Sequence, residues 1–163
     1  MTHKGTVTLE TERLILRQFT SCDTEAMFNN WASSNSDIAA SLGWNGNTFD
    51  VLDKWVDGYD SLTSYHWAIE LKEIGEPIGY INVHDIDEFI DTVEIGYAIG
   101  YNFWHKGIVT EATKEVIKYL FEVVGIKKIV AKHRPENERS GGVMMNVGMT
   151  YMIQVSKAQN RPY

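Results

Sequence analysis

At 163 residues, 44% of them hydrophobic and 23% charged, the chain can bury one core but hardly two, and its 3 Pro and 13 Gly exclude collagen-like, low-complexity and disordered classes. With 15 Lys+Arg against 22 Asp+Glu, the formal net charge of −7 disfavours a general nucleic-acid binder, which needs an excess of cations at phosphate, and weakly favours cationic partners. Cys22 is the only cysteine, which excludes an intrachain disulfide or thiolate metal cluster, and no run approaches the roughly 18 apolar residues of a membrane helix; one domain over residues 1–163, cytoplasmic, without nucleic-acid or membrane partner, is expected.

In chain order, residues 13–17 predict a strand. Thr20 and Asp23 then form a capping-box pattern that opens an amphipathic helix through Ala26, Met27, Phe28 and Trp31. A loop over residues 33–47 follows, and Phe49, Leu52, Trp55, Val56 and Tyr59 recur at helical spacing up to a stop between Gly58 and Ser61. Residues 66–71, 77–83 and 93–99 are short, rich in branched and aromatic side chains and separated by turn-formers, which predicts three antiparallel strands. Ala112, Val116, Ile117, Leu120, Phe121 and Val124 restore helical spacing from Thr110 until Gly125 ends it. A fifth strand is predicted over 128–133, a short helix over 137–147 and a sixth strand over 149–155.

The junction over residues 98–110 runs from a strand through a turn straight into the long helix. A helix N-terminus offers unpaired N–H groups and a positive dipole end, so it can hold a phosphate without a net basic protein. Gly107 allows close backbone approach, Lys106 and His105 add cations and Thr110 a hydroxyl, although a glycine and a threonine ahead of a helix also serve as ordinary capping. The junction is neither a nucleotide P-loop, because Lys106 precedes Gly107, nor a dinucleotide fingerprint.

Residues 9–17 with Asp23, then Trp67-Ala-Ile, Ile78-Gly-Tyr-Ile, Glu94-Ile-Gly-Tyr, the run from Trp104 to Ala112, and Asn137-Glu-Arg-Ser followed by Gly148-Met149 together resemble the GNAT acyltransferases. Within that superfamily the chain is most similar to the group related to ribosomal-protein N-terminal acetyltransferases (RimJ/RimL-like), over about residues 8–158. The resemblance implies an α+β GNAT fold, a mixed and mostly antiparallel sheet flanked by helices. It also implies acetyl-CoA as co-substrate, in a gap between the fourth and fifth strands. His105, Lys106, Gly107, Ile108, Val109 and Thr110 would hold its pyrophosphate, and Ala98 and Ile99 would offer main-chain groups to the pantetheine arm, which Asn137 would face. Glu94 would serve as general base, directly or through a water, and Ser140 would serve the departing thiolate.

The implied reaction is direct attack of a primary amine, on a protein N-terminus or a small molecule, without a covalent enzyme intermediate and without a metal. The chain also departs from the family. Met144 stands where many members have a tyrosine acid, Val109 where a small residue is usual, and Gly141-Gly142 predict a frayed last helix. A seventh strand is absent, so either the sequence is a piece of a longer chain or another subunit, as in a homodimer, covers the sixth. These departures motivate a rival of another class, a non-catalytic CoA-binding regulatory module; a phosphate-binding domain unrelated to acyl transfer is a third. Cys22 lacks the local signature of a cysteine hydrolase, the five histidines are too dispersed for a metal site, and among the tryptophans Trp44 is the plausible wall for an acceptor.

Overall fold

The computed structural model describes residues 1–32 and 48–152, which fall into two compact units, Met1–Lys132 and His133–Tyr163. The first carries a six-stranded sheet whose spatial order is its sequence order: β1 (Leu9–Glu10), β2 (Leu14–Arg17), β3 (Tyr65–Leu71), β4 (Glu76–Asp87), β5 (Thr92–Ile99) and β6 (Lys128–Ala131). Neighbours pair antiparallel from β1 to β5, and β6 alone runs parallel to its neighbour. The mixed, mostly antiparallel α+β architecture therefore agrees with the sequence reading.

Central β3 is buried along both faces, which is why its sequence reads as a continuous apolar and aromatic run. One face packs Ala68 and Tyr80 against Phe19, Met27, Trp31 and Leu52, with Trp55, Val56 and Tyr59 alongside. Met27 comes from α1 (Thr24–Met27), Trp31 from a wide π turn (Phe28–Ala32), and Leu52, Trp55 and Val56 from α2 (Thr48–Asp57), while Phe19 precedes α1 and Tyr59 follows α2. The opposite face meets α3 (Ile108–Tyr119), where Trp67 and Tyr119 pack edge-on at 5.9 Å and Ala112 and Val116 are fully buried. Arg17 ties the α1 corner to the sheet, 2.9 Å from Asp23 and 2.5 Å from Glu70. Among the described residues, no helix is long and apolar enough to cross a membrane.

Several elements differ from the expected ones for physical reasons. Two-residue β1 is too short to show a period. The first helix is regular only from Thr24 to Met27, continuing as the π turn that still buries Trp31. β4 runs past residue 83 because a bulge lets pairing jump from Val83↔Ile95 to Asp85↔Glu94, carrying the ladder through polar residues that read as a turn. β6 stops at Ala131 rather than 133.

In the second unit, α4 (Glu138–Asn146) runs unbroken across Gly141 and Gly142 instead of fraying. A Cβ on Gly141 would come within 2.9 Å of the His133 ring, so this glycine is what admits that ring. The helix ends in a Schellman closure at Gly148 (φ 89°): Met149 N–H bonds the Met144 carbonyl at 3.0 Å and Gly148 N–H that of Met145 at 3.0 Å. Residues 149–152 consequently carry no strand, and the rest of the expected sixth strand lies outside the described residues, as do the 33–47 loop and Trp44.

Candidate active site

Residues 100–110 convert β5 into α3. His105 (φ 61°) and Gly107 (φ 71°) both take the left-handed conformation, and successive turns of this kind line up backbone N–H groups on one side. The first helical bond is Glu111 N–H to the Gly107 carbonyl at 3.1 Å. Among the described residues, the N–H groups of Lys106, Gly107, Ile108, Val109 and Thr110 have no protein acceptor. His105, Lys106 and Gly107 are exposed, Val109 and Thr110 half-buried, and Ile108 plugs the core at 3% exposure. The Lys106 ammonium lies 5.8 Å from the centre of the Phe103 ring.

Arg13 and Glu111 fix this turn. The Arg13 guanidinium donates to the Lys106 carbonyl (2.8 Å) and to Glu111 Oε2 (2.7 Å), while the Arg13 N–H (3.0 Å) and the Thr11 hydroxyl (2.6 Å) donate to Glu111 Oε1. Partial burial alone would raise the Glu111 pKa, but the Thr11 and Arg13 donors hold it below the usual carboxylate value. A braced turn of unpaired donors at the positive end of a helix has the chemistry to accept an anion.

The sheet opens beside this cradle. Pairing of β5 with β6 extends only to Ile95↔Ala131, whereas β5 continues to Ile99. Because Gly100 N–H bonds the Ile78 carbonyl at 2.9 Å, alternation directs the backbone groups of residues 98 and 96 toward β4 and those of residues 97 and 99 toward the side where β6 has ended. The Ala98 carbonyl accordingly crowds Gly79, so of the two predicted residues it is Ile99 that turns its N–H to the open edge. The Ile99 carbonyl accepts the Trp104 indole at 3.1 Å, which pins the strand end to the turn.

Glu94 lies on the same strand, only 9% exposed. Lys132 Nζ is 2.6 Å from its Oε2 and His84 Nε2 3.0 Å from its Oε1. Burial pushes this carboxyl up, but the hydrogen bonds it accepts from Lys132 and His84 outweigh that and hold the pKa below the usual carboxylate value. His84 is the residue at the β4 bulge, and a Cβ on Gly96 would meet its ring at 3.2 Å and Asn82 Oδ1 at 3.1 Å. Neither His84 nor Lys132 was legible as a partner of Glu94. A bulge has no local sequence signal, and the ion pair spans three strands.

In the second unit, Asn137 caps α4, its Oδ1 accepting Ser140 N–H at 3.3 Å, and Met144 is buried in place of an acid. Cys22 is exposed in a 330 Å³ cleft whose lining, including Asp23, Glu25, Asn29 and Glu76, contains no histidine, which leaves a cysteine hydrolase without its base.

The family described as "Acetyltransferase (GNAT) domain" matches residues 13–150. The uncharacterized N-acetyltransferase YoaA of Bacillus subtilis is 30% identical over 145 residues, 86% of this chain and 81% of that one. The putative ribosomal N-acetyltransferase YdaF of the same organism is 32% identical over 89 residues, 55% of this chain and 47% of its own length. In fold, the chain is similar to Mycobacterium smegmatis RimJ, solved in complex with CoA-disulfide, with a TM-score of 0.78, 20% identity, and coverage of 91% of this chain and 78% of that one. The open strand edge, the amide cradle at the head of α3 and this match through both compact units place the chain in the GNAT acetyltransferase family.

Proposed function

We propose that residues 1–163 form one GNAT domain that transfers the acetyl group of acetyl-CoA to a primary amine by direct attack. The observation that carries this reading is the run of backbone N–H groups without protein acceptors over residues 106–110, directly after a strand edge that has lost its partner. The pyrophosphate would lie on His105, Lys106, Gly107, Ile108, Val109 and Thr110, and the amide-rich arm would add to the edge at Ile99 as a further strand does. Ala98 would support that arm from within the sheet. Asn137 and Ser140 are proposed for the pantetheine and the thiolate. Glu94 is the proposed general base, acting directly or through a water.

For the acceptor, the name of YdaF points to a ribosomal protein. The net charge of −7 suits a cationic amine, whether a protein N-terminus or a small molecule. The test is thermal: acetyl-CoA raises the melting temperature, and adenosine nucleotides without pantetheine raise it less. No shift at saturation refutes the reading. Replacing Glu94→Gln lowers turnover toward an alanine- or serine-starting peptide by about 10²-fold or more, with acetyl-CoA affinity little changed. Binding without turnover across a broad amine panel would instead favour the non-catalytic module, to which Met144 points by lacking an acidic proton.

A further inference from the structure

We propose that His84 Nδ1, rather than Glu94, takes the proton from the acceptor amine, and that Glu94 orients the imidazole for that task. The inference rests on the acetyl-transfer reading and refines the part of Glu94 within it. Its basis is how the two side chains are placed. Both oxygens of Glu94 are engaged, Oε1 by His84 at 3.0 Å and Oε2 by Lys132 at 2.6 Å, and the residue is 9% exposed. A carboxylate so held is a weak acceptor. His84 is the outer member of the pair, its side chain 45% exposed. Imidazole is also the side chain that takes up and returns protons near neutrality.

The bulge aims the ring. His84 has no cross-strand partner, since pairing jumps from Val83 to Asp85, and its side chain lies over β5 on the same face as Asn82, two residues before it. There it passes above Gly96, whose missing side chain gives it room: a Cβ would stand 3.2 Å from Nδ1 and 3.1 Å from Asn82 Oδ1. Two acceptor atoms thus converge over a bare glycine, on the strand whose open edge begins at residue 96, and an ammonium group carries donors for both. Among the described residues, Nδ1 has no protein partner. The charged and titratable groups around the ring are Glu94 from β5, Lys132 beyond β6, Asp85 beside it on β4, and His66 opposite Asn82 on β3. With Nε2–H turned to Glu94, Nδ1 keeps its lone pair.

The step balances without a further reactant. The ammonium gives one proton to Nδ1, leaving imidazolium stabilised by Glu94. The freed nitrogen lone pair forms the C–N bond at the thioester carbonyl, and the C–S bond breaks with its electron pair on sulfur. Sulfur takes the second nitrogen proton, the third stays on the amide, and imidazolium returns its proton to solvent.

The test is ¹⁵N-histidine NMR on the whole protein with pH–rate profiles. At neutral pH His84 is expected as the Nε2–H tautomer with Nδ1 unprotonated, and Glu94→Gln is expected to mix the tautomers. A dominant Nδ1–H form, or a ring already doubly protonated at neutral pH, overturns the proposal. With acetyl-CoA and an alanine-starting peptide, His84→Gln is expected to abolish the rising limb of kcat/KM and lower the rate about 10²-fold or more, with acetyl-CoA affinity retained. Glu94→Gln is expected to keep the limb, moved to lower pH. A His84→Gln enzyme that keeps both limb and rate overturns the proposal while leaving acetyl transfer intact, whereas wild-type protein that fails to bind acetyl-CoA removes the reading beneath it.

Discussion

His66 shows how much one side chain can carry that composition does not reveal. Its backbone is satisfied, N–H by the Thr6 hydroxyl at 2.8 Å and carbonyl by the Tyr59 hydroxyl at 2.6 Å. Its ring is sandwiched in the core, 3.7 Å from Trp55 and flanked by Phe19 and Tyr80, with Nε2 lacking a partner among the described residues. Burial alone pulls its pKa down to about 3, so the folded protein keeps it neutral. The unfolded chain binds that proton at about pH 6.5, so stability from this residue is intact above about 6.5 and falls on acidification toward about 3, by up to ~1.4 kcal/mol per pH unit. His66→Phe is expected to remove this component: urea midpoints of the variant change less between about pH 7 and pH 5 than those of the wild type. Equal acid sensitivity would mean that other groups carry it. The sequence showed only a histidine at the head of a strand. Glu94, by contrast, was legible from its motif, but its basicity was not, because that depends on His84 and Lys132 brought across the sheet.

At the level of elements, periodicity located α2, α3 and the central strands well, since each is long enough to show a face. Where prediction failed, the cause was a local device with no period: the bulge at His84, the π turn over Phe28–Ala32, and the Schellman closure that uses residues 148–149 to end a helix. Gly107 was legible, but not why it must be glycine, which is its φ of 71° at the head of α3. A Cβ there would meet Arg13 Nη2 at 3.7 Å, an ordinary contact, so the cost of Gly107→Ala lies in backbone conformation, about 1 kcal/mol. Thermal melts with and without acetyl-CoA should therefore show a slightly less stable protein whose ligand-induced shift is markedly reduced, because the cradle amides no longer line up. A full-sized shift would show that the conformation of residue 107 is irrelevant to the ligand.

Across the whole molecule, acetyl transfer needs an anion cradle, an open strand edge and a proton acceptor on one support. β5 brings these together in the proposed site, with Glu94 near its start holding the His84 ring of β4 that is the proposed acceptor, Gly96 and Ile99 along its exposed stretch, and the cradle immediately after it. The resemblance in the sequence anticipated this order of parts. It did not anticipate the Arg13–Glu111 clamp that braces the cradle from the residue just before β2, because the two residues lie far apart in the chain. The most direct measurement is residue-resolved: amide NMR of the full chain titrated with acetyl-CoA. The account predicts the largest and saturable shifts at the N–H groups of residues 106–110, joined by Ile99; binding that leaves those amides unmoved, or no binding at all, would contradict it.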